Sequence, residues 1–280
     1  MEVFTMAILD IWAEVGKYAT NFCRLRGLTY SGIAGSAPQY PLKLAKFEAS
    51  LPDDKVLTPP ESLVTLPLTY DNKSSQVQTA NVSFSEEVTD STSTTTTEGV
   101  TIGSEVSASQ SFKVKFVEVG LTQTISAECT ATSSQTLTSE IKKTVLLGQD
   151  IVVPPYTRAK AVMVIEKGVY DLITDIKCEL SGLIYFDATN GTKFFATIYE
   201  VLKTNKTPDF TFSFNDPEDP TCHFNGSGKL KGSSGLNSYI SVEEEPLPGS
   251  SGQRRQYILP GQDLTTGIIY SGNIGIPVIN

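Results

Sequence analysis

His223 is the single histidine in the 280-residue chain. Any Ser–His–Asp or Cys–His centre, in which an imidazole takes a proton from a nucleophile, would have to run through it. Its neighbour Cys222 points to the opposite side of any strand carrying both, and a structural histidine is the plainer reading. The four cysteines, Cys23, Cys129, Cys178 and Cys222, form no C-x-x-C pair and are too sparse for a disulfide scaffold. No Cys/His cluster has zinc-ligand spacing, and the run Glu243-Glu244-Glu245 reads as a solvated strand end. Gly226-Ser227-Gly228 with Gly232 matches neither the dinucleotide fingerprint nor the phosphate loop and reads as turn chemistry between strands. No catalytic residue, metal or cofactor is expected, and the chain does not read as an enzyme.

The composition narrows the partners. A formal net charge of −9 opposes nucleic-acid binding, which needs clustered Lys and Arg; the notable basic pairs are Lys142-Lys143 and Arg254-Arg255. A hydrophobic share of 39% with 19% charged residues suits a folded soluble protein. No run approaches the roughly 20 apolar residues of a membrane-crossing helix. The opening MEVFTMAILDIWAEVGKY has neither a basic n-region nor an A-x-A-like cleavage site, so no signal peptide is read and the chain is expected to be soluble when made.

The chemistry on offer is that of a surface. The stretch from Ser83 to Ser139 is crowded with Ser and Thr and lacks proline, which by composition alone reads as a low-complexity linker. Its periodicity argues otherwise. Between Val100 and Phe116 the even positions carry Val100, Ile102, Val106, Ala108, Phe112, Val114 and Phe116, while odd positions carry polar residues including Glu105, Lys113 and Lys115. After Gly120 the parity switches: Leu121, Ile125, Ala127, Cys129 and Ala131 are apolar, and Thr122, Thr124 and Glu128 are polar. Pairing Phe116 with Leu121 puts Val114 opposite Gln123, Phe112 opposite Ile125, Ala108 opposite Cys129 and Val106 opposite Ala131, so both apolar stripes share one face.

Each arm, Val106 to Phe116 and Leu121 to Ala131, has the ~9–11 residues of a tilted transmembrane strand. The expected lipid face is Val106, Ala108, Phe112, Val114, Phe116, Leu121, Ile125, Ala127, Cys129 and Ala131; the expected lumen face is Glu105, Lys113, Lys115, Thr122, Thr124 and Glu128. A lone hairpin would leave its outer backbone groups unpaired in hydrocarbon at several kcal/mol each, so several copies must close a barrel together. In solution the apolar face must be covered, by packing on the body of the same chain. Alternation by itself also fits an ordinary hairpin on the face of a sandwich.

The rest of the chain must position this hairpin. Helical spacing predicts a helix over Phe4 to Val15, with Thr5 as N-cap and Gly16 as stop, and a further turn or two from Lys17 to Leu25 ending at Gly27. Pro38, Pro41, Pro52, Pro59 and Pro60 then punctuate an irregular stretch. From about Ser62 the signal is β. Strands are expected at Gln76 to Asp90, Ile151 to Val153, Ala159 to Glu166, Asp171 to Phe186, Lys193 to Leu202, Thr211 to Phe214 and Ser238 to Glu243, with turns at Gly148, Pro154-Pro155, Gly168, Asn190-Gly191 and Asp216 to Pro220.

The run from Val82 to Thr136, VSFSEEVTDSTSTTTTEGVTIGSEVSASQSFKVKFVEVGLTQTISAECTATSSQT, resembles the insertion region of the epsilon-toxin and mosquitocidal-toxin family of aerolysin-like toxins. GQDIVVPPYTRAKAVMVIEKGVYDLITDIKCELSG, Gly148 to Gly182, resembles that family's proline-marked strand, long β-ribbon and return strand. GKYATNFCRL near the N-terminus is more weakly similar, and Cys222 to Leu247 is similar to a stretch of the small insecticidal crystal proteins of spore-forming bacteria. The resemblance implies a mainly β fold, elongated, with long antiparallel strands, a β-sandwich tail and a small head carrying N-terminal helices. It implies a division into a receptor-binding head (1–57 and 184–215), a long-strand body with the insertion hairpin at 100–132 (58–183), and a C-terminal sandwich segment (216–280).

The implied function is that of a pore-forming, insecticidal toxin: it binds a target-cell surface, is activated by proteolysis, forms a heptamer-like or similar homo-oligomeric ring, and inserts the hairpin as a β-barrel. The alternative is a lectin-like or receptor-binding β module that forms no pore. The partners would be the target membrane and a protein or glycan receptor, with Trp12, Tyr18, Phe22, Tyr30, Phe194 and Tyr199 as candidate contacts. The tail after about Gly261 is the expected propeptide, since QYILP after Arg254-Arg255 resembles the last body strand. Storage as a parasporal crystal and extracellular action at the host membrane complete the expectation.

Overall fold

Long alternating runs of Val, Ile, Thr and Ser favour strands because branched side chains pack well on a pleated surface. In the computed structural model, which describes residues 7–52, 61–116, 121–213 and 220–265, those runs become very long strands. Chain order is β1 (Ala7–Asp10), α1 (Ile11–Arg24), β2 (Tyr30–Ser36), β3 (Lys43–Ser50), β4 (Glu61–Val64), β5 (Leu68–Asn72), β6 (Gln78–Thr101), β7 (Ser107–Phe116), β8 (Leu121–Thr130), β9 (Leu137–Val153), β10 (Thr157–Ser181), β11 (Leu183–Ala188), β12 (Lys193–Thr197), α2 (Ile198–Asn205), β13 (Phe210–Ser213), β14 (Thr221–Pro246) and β15 (Arg255–Asp263).

The axis of the molecule is the antiparallel pair β10–β14, in register from Thr157↔Pro246 to Leu180↔Cys222. β10 has 25 residues, and at about 3.3 Å per residue it spans ~80 Å. At the end holding Thr157 the sheet splits into two layers. β6 pairs with β14 only between Ser91 and Glu98; before that it pairs with β9, while β14 turns to β15. Inward residues of β6–β9 (Val82, Phe84, Val145, Leu147, Ile151) meet those of β10, β14 and β15 (Ala161, Met163, Ile165, Ile240, Val242, Leu259) in one core, the sandwich tail.

The opposite end is built on α1. Ile11, Val15, Ala19 and Cys23 recur at helical spacing and are fully buried, packed with Phe186 and Ile184 of β11 and with Ile198, Val201 and Leu202 of α2. Glu14 ties the two helices: Lys17 stands 2.6 Å from its carboxylate, and the Asn205 and Thr207 side chains donate to it at 2.9 and 3.2 Å. Burial alone would raise the Glu14 carboxyl, but the Lys17, Asn205 and Thr207 hydrogen bonds outweigh it and hold it below its ordinary value. α2 starts at a capping box between Thr197 and Glu200.

Several local expectations change. Ala7–Asp10 is a strand parallel to β6, and the helix is capped by the Asp10 side chain bonding Trp12 N. It runs through Gly16 to Arg24 as one helix, because its buried stripe outweighs the roughly 1 kcal/mol cost of a mid-helix glycine. Phe4 and Thr5 lie outside the described residues, as do Asp216 to Glu218 and the tail beyond Thr265. The stretch containing Pro38 and Pro41 is flanked by β2 and β3. Lys193 to Leu202 is a strand and then a helix. Gly148 and Gly168 sit inside β9 and β10. Gly226, Gly228 and Gly232 lie within β14, against β6 and β10, where a Cβ would overlap neighbouring atoms. Glu244 is buried rather than solvated, accepting from Tyr257 OH at 2.9 Å.

Candidate functional site

β7 and β8 form a two-stranded sheet of their own. The register is Phe116↔Leu121, Val114↔Gln123, Phe112↔Ile125 and Ala108↔Cys129, the one the two apolar stripes require. Ala131 N donates to Val106 O, closing the base. The alternation does not run unbroken from Val100, however. The chain bends at Ile102–Ser104, so Val100 and Ile102 join the helical end's core while β7 folds back along the body. Glu105 falls between this bend and β7, outside the ladder.

One face of the hairpin is buried. Phe112, Val114, Phe116, Ile125, Ala127 and Cys129 pack on Tyr170, Leu172, Ile176, Leu230 and Leu236 of the body and on Ala49 of β3. Leu236 is the extra residue of a bulge between Glu166↔Asn237 and Lys167↔Gly235, which turns it into this cluster. Burying six side chains of this kind is worth on the order of 10 kcal/mol. Val106, Ala108 and Leu121 are half-buried and Ala131 is buried; Glu105, Lys113, Lys115, Thr122, Thr124 and Glu128 are all exposed. The water face is therefore already wet.

Side chains, not a ladder, fasten the hairpin. Thr94 and Thr96 of β6 donate through their hydroxyls to the carbonyls of Glu128 and Thr130 on β8. At the other end the Phe116 ring fills the space over Gly168 of β10, where any Cβ would overlap it. Gln123, on the buried face, donates to Ser234 Oγ at 2.6 Å, and its carbonyl oxygen has no partner. All four cysteines are free and buried. Burial pushes the Cys129 thiol up to about 11 and the Cys178 and Cys222 thiols up to about 12.

Of the six aromatic surface candidates, Tyr199 is buried and the other five are half-buried, packed against the core of the helical end. Tyr18, Phe22, Tyr30 and Phe194 surround Phe186, with ring centroids 5.3 to 6.4 Å from its own. Trp12 donates from Nε1 to Ile102 O at 3.1 Å, and Tyr199 is buried edge-on against Phe212. Composition shows which segments are aromatic but not which face α1 covers. The outward apolar residues of those segments are Leu25, Ile33, Tyr40 and Phe195. Thr94, Thr96 and Gly168 carried no sequence signal beyond residue type. His223 stands 3.6 Å from Glu179, which also pairs with Lys46; no cluster of metal-ligating residues occurs among the described residues.

A family model described as Clostridium epsilon toxin ETX/Bacillus mosquitocidal toxin MTX2 matches residues 44–256. The pesticidal crystal protein Cry15Aa of Bacillus thuringiensis subsp. thompsoni is 30% identical over 226 residues, 75% of this chain and 66% of that protein, so the chain spans about two thirds of that relative. A crystal protein from Bacillus thuringiensis described as non-toxic superposes with a TM-score of 0.78 at 29% identity, covering 88% of this chain and 100% of that one. The Mpp75Aa1.1 β-pore-forming protein of Brevibacillus laterosporus shares the fold at a TM-score of 0.55 and 16% identity, covering 89% and 93%.

Proposed function

The chain belongs to the epsilon-toxin and mosquitocidal-toxin family, and on that premise we propose that it is an insecticidal pore-forming toxin whose spanning element is the hairpin β7–β8. The observation that carries this reading is a ready-made hairpin, apolar on one face and polar on the other, docked on the body by side chains with no strand ladder beyond its base. Ten residues at about 3.3 Å each, tilted ~40°, cross ~25 Å, the height of a barrel's lipid-facing band.

The proposed sequence is storage in a parasporal crystal, release as a soluble monomer, proteolytic loss of the tail, capture at the target-cell surface, ring assembly and concerted hairpin insertion. The cut falls after β15: Gly261 and Leu264 are packed against β14 and in the sandwich core, so removal from Gly261 itself would unmake the tail. Val106, Ala108, Phe112, Val114, Phe116, Leu121, Ile125, Ala127, Cys129 and Ala131 meet lipid; Lys113, Lys115, Thr122, Thr124 and Glu128 line the lumen. Straightening the Ile102–Ser104 bend makes β7 continue β6 and β8 continue β9, past the end that carries α1 and α2. That end is then the membrane-facing head.

The test uses calcein-loaded phosphatidylcholine vesicles carrying a nickel-chelating lipid, to which protease-treated protein attaches by an added N-terminal hexahistidine tail. The parent should release dye, and Val114→Arg should abolish release while oligomers persist. If Val114→Arg does not fold, Ala108→Arg, at a half-buried lipid-face position, takes its place. Undiminished release by a folded Arg variant would show that the hairpin does not span. A second reading, a binding module without pore activity, is favoured by the 29%-identical crystal protein described as non-toxic; absence of oligomers and of release by the parent would select it.

A further inference from the structure

Two amides interrupt the apolar face of the hairpin. Gln110, opposite Ala127, is half-buried, whereas Gln123, opposite Val114, is 9% exposed. Only one end of the Gln123 amide is satisfied. Nε2 donates to Ser234 Oγ at 2.6 Å; Oε1 has no hydrogen-bond partner among the described residues and is too enclosed for water to reach. A buried amide oxygen in that condition destabilises the state that buries it, and an apolar side chain of similar shape would not. The docked hairpin therefore carries a penalty that its apolar contacts must offset.

Ser234 of β14 is paired with Gly168 of β10, and Gly168 lies beneath the Phe116 ring. The tip of the hairpin thus meets the body at one cross-strand pair through two contacts of opposite kind: a well-seated ring from β7 and a half-bonded amide from β8. The next two residues of β14 are fixed from elsewhere. Gly235 N donates to Asp90 Oδ1 at 2.8 Å, and Leu264 N donates to Leu236 O at 3.0 Å. Ser234 is accordingly held by the body, and the amide must come to it.

We propose that the half-satisfied Gln123 amide is a built-in weak point that sets how readily the hairpin leaves the body. Its consequence for insertion rests on the pore-forming reading; the weak point itself belongs to the soluble monomer. In the barrel the face that carries Gln123 meets lipid, where an amide is also unfavourable. An effect through the inserted state and an effect through the docked state therefore have opposite signs when the amide is removed.

The test uses two variants. Gln123→Met with Ser234→Ala makes both sides of the contact apolar and should tighten docking; Ser234→Ala alone removes the amide's one partner and should loosen it. The first readout is maleimide labelling of Cys129 in the soluble monomer, read by mass spectrometry. Labelling should slow about tenfold in the double variant and quicken about fivefold in Ser234→Ala. Cys178 and Cys222, in the body, should label at the parent's rate in both. The second readout is dye release from nickel-chelating vesicles by the protease-treated, hexahistidine-tethered proteins at equal amounts of oligomer. The double variant should release more slowly, although Met suits lipid better than Gln. Cys129 labelling that is unchanged, or that changes in step with Cys178 and Cys222, overturns the proposal. Faster release by the double variant overturns it too, placing the effect of Gln123 in the inserted state. If the tethered parent releases no dye, the pore-forming reading fails, and the labelling rates decide the weak point by themselves.

Discussion

The ring of Phe116, the last residue of β7, lies over Gly168 of β10 in the space a side chain there would occupy. This contact seats the tip of the hairpin on the body just past the bulge at Glu166/Lys167. Gly168→Ala should lift the ring and cost about 1–3 kcal/mol, the usual penalty for overpacking. Because Cys129 is buried with its thiol pushed up to about 11, maleimide labelling of Cys129 at neutral pH should be slow in the parent and faster in Gly168→Ala. Equal labelling rates would mean that the tip contact does not hold the hairpin.

Thr94→Val and Thr96→Val remove the hydroxyls that bond the Glu128 and Thr130 carbonyls while keeping side-chain shape. Each should cost roughly 1 kcal/mol of docking, the net worth of a typical hydrogen bond. Hydrogen exchange of the β8 amides should quicken in the double variant, and exchange in β10 should not. Uniform acceleration throughout the chain would show global rather than local loosening.

Lys113 and Lys115 are exposed in the docked hairpin and make no hydrophobic contact with the body. Lys113→Glu with Lys115→Glu should leave the melting temperature unchanged and move single-channel selectivity in planar bilayers toward cations, since like-charged rings repel co-ions in the lumen. Selectivity identical to the parent would place these residues outside the lumen.

Glu14 sets a pH dependence. Its carboxyl in the folded protein lies below the ordinary 4.5 because the Lys17, Asn205 and Thr207 hydrogen bonds outweigh burial. Its stabilisation is therefore complete above about pH 4.5 and is lost as pH falls through the lower folded value. Thermal unfolding of the parent should decline below pH 4.5 more steeply than that of Glu14→Gln, and the two should converge in acid. Parallel pH profiles would assign the acid sensitivity to other carboxylates.

The hairpin was legible in the sequence because period-two polarity fixes register: Phe112 and Ile125 could meet on one face in few other ways. The bend at Ile102–Ser104 was not, since reversing the chain there preserved the parity. Trp12, Tyr18 and Phe22 were identified as aromatics of one segment, but their orientation follows from how α1 seats on β11, a tertiary fact. Glycines at 168, 226 and 232 look like turn signals locally; they are instead places where long strands come close to a neighbour's ring or carbonyl.

Outside their mutual ladder, β7 and β8 reach the rest of the protein through side chains and a few bonds at the base. In the proposed pore those two open edges become the valences of each subunit. An arc of subunits, however long, always has two of them unsatisfied, at several kcal/mol for every unpaired group within hydrocarbon, and only a closed circle has none. Conductance should therefore appear in single steps of fixed size, with no stable sub-levels from partial rings.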